Sequence, residues 1–278
     1  MGANSRARKM MKRMLSPLLD ERRYRWLQCA AMAWDIRRGT WHEPELDLLP
    51  LALRAGESAL DIGANYGLYT YHMSRIVGPR GRVYAFEPVP FTVETLRLTT
   101  RLLRVKNAEI VPKGLSDRAG AISFELPVQA SGAPAAGLAH LVGRNNDRPG
   151  KEQQIRYASS RTVAGEVVRL DDWLPAGVDV PLLKIDIEGA ELMAFHGALG
   201  TLDRSLPTVI CEINPWYLDG FGSSVAELVG LFTERSYRLY RYDDKARRLV
   251  GQRSDEVVED NYVFVHPRRA DRMASLLS

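Results

Sequence analysis

From residue 58 onward, short apolar runs alternate with segments whose apolar positions recur every three or four residues. The runs predict strands at residues 58–61, 82–86, 109–112, 182–187 and 208–213. The periodic segments predict helices at residues 69–76, 89–103, 190–199 and 224–235. Repeated strand–helix units are typical of a parallel sheet with right-handed crossovers.

The end of the chain has a different pattern. Two further strands, at residues 237–242 and 262–266, follow the last helix with no helix between them. Two successive strands predict a hairpin, so the final strand is expected to run antiparallel to the others. We therefore expect a Rossmann-like α/β fold, with a doubly wound, mostly parallel sheet and an antiparallel terminal strand.

The N-terminal residues lie outside this alternation. Residues 1–44 are interpreted as a basic arm followed by a helix, in which Trp26, Ala30 and Trp34 recur at helical spacing. Residues 45–278 are expected to form one domain that opens with a short helix at residues 45–54, since a single core extends to about 250–300 residues.

One segment of this domain has no regular pattern. Residues 129–161 are rich in Gly, Ala, Asn, Pro and charge, and they separate predicted strands at residues 121–128 and 162–170. Long loops within compact domains are usually functional or mobile. We place this loop on the substrate side of the domain.

Positive charge is concentrated at the N-terminus. The net charge of the chain is +4, but residues 1–25 hold eight Lys or Arg against two acids and carry the whole excess. Such an arm either contacts an anionic surface, for example a membrane, or is a solvated tail. Nothing in the sequence strongly favours nucleic acid as a partner.

Other general features favour a cytoplasmic protein. No apolar run reaches the ~18 residues that span a bilayer, and charges interrupt the N-terminal apolar residues where a signal peptide would need a continuous core. Cys29 and Cys211 are too few for a disulfide framework and are expected to be buried core residues.

A glycine turn after the first predicted strand is the strongest local motif. The segment Asp-Ile-Gly-Ala-Asn-Tyr-Gly begins at Asp61 and leads into a helix. Gly63 and Gly67 let the backbone approach a ligand closely, and Asn65 tolerates a positive φ. A dinucleotide fingerprint, G-x-G-x-x-G, would need further glycines at Asn65 and Leu68, so a nicotinamide cofactor is disfavoured.

Carboxylates follow two other predicted strands. Glu87 ends the second strand, where an acid can accept hydrogen bonds from both hydroxyls of a ribose. Asp186 and Glu188 follow a buried strand that contains Lys184. Since ligands bind at the carboxyl edge of open α/β sheets, these charges form either a paired network or a reaction site.

Together the motifs resemble those of the FkbM-type methyltransferases. The resemblance covers roughly residues 41–213, and six motifs occur in the family's order. They are the segments 60–67, 85–88, 115–117, 170–172 and 184–191, and Glu212. The family implies the methyltransferase variant of the Rossmann-like fold and the cofactor S-adenosylmethionine.

The resemblance also implies roles for single residues. Asp61, Gly63, Asn65 and Gly67 would surround the methionine half of the cofactor. Glu87 would hold the ribose. Ser116 and Asp117 would face the adenine, and Asp186 would lie near the transferred methyl group.

The expected reaction is methyl transfer to an acceptor hydroxyl of a small natural product, a glycan or a lipid-linked substrate. Asp186 is the first candidate and Glu188 the second for the base that removes the hydroxyl proton. Two alternatives remain: an NAD-type oxidoreductase, and a non-catalytic protein that binds the cofactor as a scaffold.

A magnesium ion is a further hypothesis. Asp186, Glu212 and Asn214 follow neighbouring strands, and their oxygens are ligands that Mg²⁺ prefers. The favoured alternative is that Glu212 pairs with Lys184 or caps its strand. Trp216 and Tyr217 either line an acceptor pocket or pack beneath the terminal strands.

Overall fold

The computed structural model describes residues 21–128, 140–142 and 159–277. Most of the basic arm and of the expected substrate-side loop lies outside these residues. The strands are β1 Ser58–Ile62, β2 Arg82–Phe86, β3 Ala108–Val111, β4 Gly114–Leu115, β5 Gly120–Val128, β6 His140–Leu141, β7 Ser159–Val168, β8 Leu182–Ile185, β9 Thr208–Ile213, β10 Arg238–Asp243, β11 Arg248–Gly251 and β12 Asp260–Val265. The helices are α1 Glu21–Arg38, α2 Leu49–Ala52, α3 Leu68–Val77, α4 Pro90–Leu102, α5 Leu170–Trp173, α6 Glu191–His196, α7 Leu199–Ser205, α8 Pro215–Gly220 and α9 Val225–Thr233.

The main sheet has eight strands in the order β11-β10-β12-β9-β8-β1-β2-β3. Strands β3, β2, β1, β8 and β9 pair in parallel, and β12 pairs antiparallel with both β9 and β10. The expected doubly wound sheet with an antiparallel terminal strand is therefore confirmed.

Both faces of the parallel strands are buried. On β1, Leu60 belongs to one hydrophobic cluster, while its neighbour Ala59 belongs to another. On β8, Leu183 belongs to the same cluster as Leu60, and Leu182 belongs to the same cluster as Ala59. Since successive side chains of a strand point to opposite faces, apolar residues at consecutive positions place these strands in the middle layer of the domain.

Several elements differ from the predicted pattern. An extra strand, β11, lies between the two strands predicted at the C-terminal end, and it forms a hairpin with β10. The helix predicted at residues 190–199 is two helices that meet at Gly197, where a Cβ would lie 2.0 Å from the Ser116 carbonyl oxygen. The short helix predicted at residues 45–54 is a 3₁₀ segment, Pro44–Leu48, followed by α2.

A second sheet covers one end of the first. Its order is β4-β7-β5-β6, and β5 pairs antiparallel with β7 along its whole length. Residues 140–141 and 159–161, predicted within the loop, thus belong to strands. Phe124 and Leu141 of this sheet pack against Val89 and Ala190 of the main domain. This contact places the small sheet beside the loops that follow β2 and β8.

Helix α1 packs beside the turn that follows β1. Gln28 Nε2 donates to the Tyr66 hydroxyl at 2.7 Å, and Trp41 contacts the Tyr66 ring edge-on. Cys29 is buried against Thr95 of α4, and Cys211 is buried on β9. Among the described residues, no helix is long and apolar enough to cross a membrane.

Candidate active site

Carboxylates from four neighbouring strands meet at one edge of the main sheet. Asp61 lies on β1, Glu87 follows β2, Asp186 follows β8 and Glu212 lies on β9. All four strands are parallel, so their carboxyl ends reach the same edge. This is where open α/β sheets bind ligands.

The glycine turn after β1 has the backbone that its residue types predict. Gly63, Asn65 and Gly67 all have positive φ, at 77°, 47° and 84°. The N–H groups of Gly63 and Ala64 both donate to the Phe86 carbonyl at 3.0 Å. The turn is thereby fixed against β2.

Asp61 is buried at the start of this turn. Its Oδ2 accepts a 2.5 Å hydrogen bond from Thr70, and its Oδ1 is buried with no hydrogen-bond partner among the described residues. Burial raises the pKa of Asp61, although the nearby Lys184 ammonium opposes the shift. Asn65 Oδ1 is likewise buried without such a partner. The turn therefore holds two acceptors that a ligand with N–H or O–H donors would satisfy.

Glu87 joins the turn to the second strand. Its two oxygens accept hydrogen bonds from the backbone N–H groups of Asn65, at 3.2 Å, and Val89, at 3.1 Å. The side chain is 6% exposed, and burial raises its pKa to about 7. Each carboxyl oxygen retains a second lone pair for a ligand hydroxyl.

Ser116 and Asp117 follow β4 of the small sheet. Ser116 is buried, and its hydroxyl donates to the Asp117 carboxylate at 3.0 Å, whereas Asp117 is exposed. Strand β4 begins at Gly114, which lies against Pro88, the residue after Glu87. The structure thus brings these two residues to the side of the site that Glu87 occupies.

A lysine is buried at the centre of the acidic edge. Lys184 Nζ lies 3.1 Å from Asp186 Oδ2, and the register of β1 and β8 places Lys184 beside Asp61. Although burial lowers the pKa of Lys184, the carboxylates of Asp186, Asp61 and Glu43 outweigh it, and the net pKa is raised. The lysine is therefore a fixed positive charge.

Asp186 and Glu212 form a coupled pair of carboxyl groups. The register that pairs Ile185 with Cys211 places the two residues side by side, and a hydrogen bond between their carboxyl groups lowers the pKa of Asp186 and raises that of Glu212. Burial and the Asp186 charge raise the pKa of Glu212 to about 10. Burial acts to raise the pKa of Asp186. The positive charge of Lys184 and the hydrogen bond from Glu212 outweigh burial, so the net pKa of Asp186 is below its ordinary value. At neutral pH Asp186 is ionised and Glu212 is a neutral donor.

The turn after β8 contains Glu188 and Glu191. Glu188 has a left-handed backbone with φ of 59° and is partly buried. Glu191 Oε1 accepts hydrogen bonds from the N–H groups of Ile187 and Gly189 at 3.0 and 3.3 Å. Burial raises the pKa of Glu191 to about 7. Glu191 therefore holds this turn in shape. From the sequence motif alone, its carboxylate could equally serve only to interact favourably with the dipole of the helix that it begins.

Two acids of the N-terminal segment were not predicted at the site. Glu43 lies in the segment before the predicted short helix and Glu45 is the first residue of that helix, yet the charges of both interact with Lys184. Glu45 is buried, and burial raises its pKa to about 7. Their signal in the sequence is weak, because nothing local indicates that the segment folds back onto β8.

The oxygens proposed for magnesium have other partners. Asn214 Oδ1 accepts hydrogen bonds from the N–H groups of Trp216 and Tyr217, at 3.1 and 3.2 Å, and caps α8. Within the described ranges no group of three His, Cys, Asp or Glu side chains is arranged to hold a metal ion. Tyr217 is buried and its carbonyl lies against Gly189, whereas Trp216 is only partly buried.

The strand order, the glycine turn and the acids at the ends of β1, β2 and β8 define the class of Rossmann-like methyltransferases. Residues 61–239 match the family model described as the methyltransferase FkbM domain. The chain belongs to this family. No curated protein sequence matches it.

Several solved structures are similar to this chain. A methyltransferase FkbM from Methylobacillus flagellatus KT is 15% identical and covers 75% of this chain and 43% of its own, with a TM-score of 0.46. A putative rRNA methylase from Clostridium thermocellum is 9% identical, covering 79% and 90%, with a TM-score of 0.44. A SAM-dependent methyltransferase from Aquifex aeolicus is 16% identical, covering 80% and 88%, with a TM-score of 0.41. The chain spans less than half the length of the first of these.

Proposed function

We propose that this protein transfers a methyl group from S-adenosylmethionine to a hydroxyl of its acceptor, with Asp186 as the base. One observation carries the proposal: the Asp186 carboxyl group, with its Oδ2 3.1 Å from Lys184 Nζ, lies at the ligand-binding edge of the sheet. A carboxylate at this position can receive the hydroxyl proton as the new C–O bond forms.

The residues of the glycine turn and of β2 fit this cofactor. The buried acceptors Asp61 Oδ1 and Asn65 Oδ1 would meet the donors of its methionine half, and the glycines keep the backbone open there. Glu87 would accept hydrogen bonds from the ribose hydroxyls. Ser116 and Asp117 would lie beside the adenine.

When bound, the cofactor would supply an activated methyl group on a positively charged sulfur, with the C–S bond breaking as the C–O bond forms and the neutral thioether S-adenosylhomocysteine as the leaving group. The chain's own contribution is alignment and proton removal. Lys184 keeps Asp186 in its ionised form, and the neutral Glu212 donates a hydrogen bond that orients it. Glu188, on the adjoining turn, is the second candidate for the base.

The acceptor class is a small natural product, a glycan or a lipid-linked molecule. A hydroxyl of such an acceptor has a pKa far above that of Asp186, so proton transfer accompanies methyl transfer rather than preceding it. Binding of NADH in an ultraviolet–visible titration would favour the oxidoreductase alternative. Cofactor binding without methyl transfer to any acceptor would favour a scaffold.

The test uses methyl-labelled S-adenosylmethionine and fractions of cell extract, with intact-mass detection of labelled products. The initial rate on a labelled fraction is then compared between variants. Asp186→Asn should lower that rate about 10²-fold or more, because a general base contributes 10²–10⁴-fold. Cofactor affinity, measured by calorimetry, should change little.

A matched control is Asp244→Asn, which removes an exposed carboxylate on the β10–β11 turn and should leave the rate unchanged. Glu188→Gln tests the second candidate. Near-normal rates in both the Asp186 and Glu188 variants, with normal cofactor binding, would show that neither residue is the base.

A further inference from the structure

Helix α1 presents an unusual surface to solvent. Seven side chains share one side of the helix at spacings of three and four residues, and all of them are aromatic, aliphatic or basic. They are Arg23, Trp26, Leu27, Ala30, Trp34, Arg37 and Arg38, which we call the α1 outer face. None of them is acidic.

The large apolar side chains of this face are strongly exposed. Trp26 is 51% exposed, Leu27 42% and Trp34 58%. In the described part of the chain, six large apolar side chains are at least 36% exposed, and these three are the only ones of the six that share a helix. Isolated exposed apolar residues are ordinary, but two tryptophans and a leucine on one face mark a contact surface.

In the described part of the chain, the side of α1 that packs against the domain is the opposite one. The opposite side of α1 carries the buried Cys29, Ala33 and Ile36, of which Cys29 contacts α4 and the other two lie in a core cluster. The exposed side chains of Trp26, Leu27 and Trp34 can therefore contact a partner without any change in the packing of the helix.

The positive charge of the α1 outer face favours an anionic partner. Arg37 and Arg38 end the helix, and the Arg38 guanidinium lies 4.4 Å from the centre of the Trp34 ring. Residues 1–20, which precede the helix, contribute five Lys or Arg and one acid. Tryptophan rings at the level of the headgroups, with arginines beside the phosphates, are how an interfacial helix binds an anionic bilayer.

We propose that the α1 outer face docks this protein on an anionic lipid surface. The tryptophans and Leu27 enter the interface between headgroups and acyl chains, and the arginines pair with lipid phosphates. A nucleic acid would pair with the same arginines and could stack its bases on the indoles, but it would leave Leu27 without an apolar environment. The proposal does not depend on the identity of the methyl acceptor.

Co-sedimentation with vesicles tests this docking in the full-length protein. Vesicles of phosphatidylcholine alone are compared with equal mixtures of phosphatidylcholine and phosphatidylglycerol. Binding should occur to the anionic vesicles and weaken with salt, because the basic groups contribute about 1 kcal/mol each near such a surface. The Trp26→Ser/Trp34→Ser double variant should lose about tenfold or more in affinity, since it removes the apolar contribution.

The matched control is Val250→Ser/Val258→Ser, which removes two exposed apolar side chains elsewhere and should bind like the parent. Circular dichroism and cofactor titration confirm that each variant is folded. Absence of binding to anionic vesicles overturns the proposal. So does unchanged binding by the tryptophan variant, which would assign binding to residues 1–20 alone.

Two other partners are distinguished in the same series. Sedimentation velocity without vesicles would reveal a dimer that the tryptophan variant abolishes. Fluorescence polarisation with a labelled oligonucleotide reports binding to nucleic acid. Either result, found together with no vesicle binding, overturns the lipid proposal.

Discussion

Gly63 lies so close to Asp186 that a β-carbon on Gly63 would be 1.9 Å from the Asp186 carbonyl oxygen. The glycine turn after β1 and the acidic turn after β8 are thus in direct backbone contact. The Asp186 N–H also donates to the Ile62 carbonyl at 3.1 Å. Gly63 therefore sets the position of the proposed base as well as the shape of the cofactor turn.

Gly63→Ala should destabilise the protein by roughly 3–5 kcal/mol, because a severe backbone clash adds to the strain of a positive φ. Gly222→Ala is the matched control. Gly222 has a similar φ of 70° with nothing within 4 Å of an added Cβ. The free energy of unfolding of the Gly222→Ala variant should fall by only about 1–2 kcal/mol. Urea denaturation measures both, and equal losses would mean that the clash relaxes at little cost.

Glu87→Ala should weaken binding of S-adenosylmethionine by about 1–3 kcal/mol, since the ribose hydroxyls lose an acceptor and the Asn65 and Val89 N–H groups lose theirs. Isothermal titration measures the change. Glu94→Gln, on the exposed side of α4, serves as the control and should bind normally. Unchanged affinity in the Glu87 variant would remove this residue from the cofactor site.

Glu212→Gln should keep the methyl-transfer rate within about threefold of the parent, because an amide still donates a hydrogen bond to Asp186. Glu212→Ala removes the donor and should lower the rate about tenfold or more. The comparison uses initial rates on the same labelled extract fraction. If glutamine is as damaging as alanine, Glu212 acts in its ionised form and the assignment of the proton to it is wrong.

The pH dependence of stability should depend on Glu45. Burial raises its pKa from 4.5 to about 7, so its contribution to stability is fully present below pH 4.5 and is lost as the pH rises through 7. Glu45→Gln should therefore stabilise the protein at pH 8 relative to the parent by roughly 1–3 kcal/mol, and by less at pH 5. Thermal unfolding at the two pH values measures this. An equal effect at both would show that Glu45 titrates normally.

Metal removal should leave the methyl-transfer rate unchanged. Asn214 Oδ1 already accepts two backbone hydrogen bonds, and Lys184 already supplies a positive charge to Asp186. The check is the initial rate after treatment with EDTA and after addition of magnesium. Loss of activity that magnesium restores would show that the reaction needs the metal and would contradict this prediction.

Much of the main sheet was predictable because its signals are local. Strands β2 and β9 have the predicted bounds, and β1 and β8 differ from prediction only at their C-terminal ends. Short runs of consecutive apolar residues are typical of parallel strands buried on both faces, and glycine is favoured where a turn needs a positive φ. The grouping of Asp61, Glu87 and Asp186 at one edge follows from strand direction alone.

The small sheet was less predictable. Residues 129–158 separate strand β5 from strand β7 along the chain. The two strands pair only through contacts between residues far apart in the sequence, which a local pattern does not indicate. The split between α6 and α7 has the same kind of cause, since Gly197 meets the carbonyl of Ser116 from a distant part of the chain. Neither contact has a signal in the local pattern.

By itself the sequence determined the Rossmann-like topology, the family and the acids at the sheet edge, because these depend on hydrophobic periodicity and on residue types with local backbone requirements. Only the tertiary structure decided which acid is charged. Lys184 and Asp186 are two residues apart, but Glu212 and Glu43 reach them from other elements. Burial and distance set these pKa values, and both arise only when separate strands and the N-terminal segment pack together.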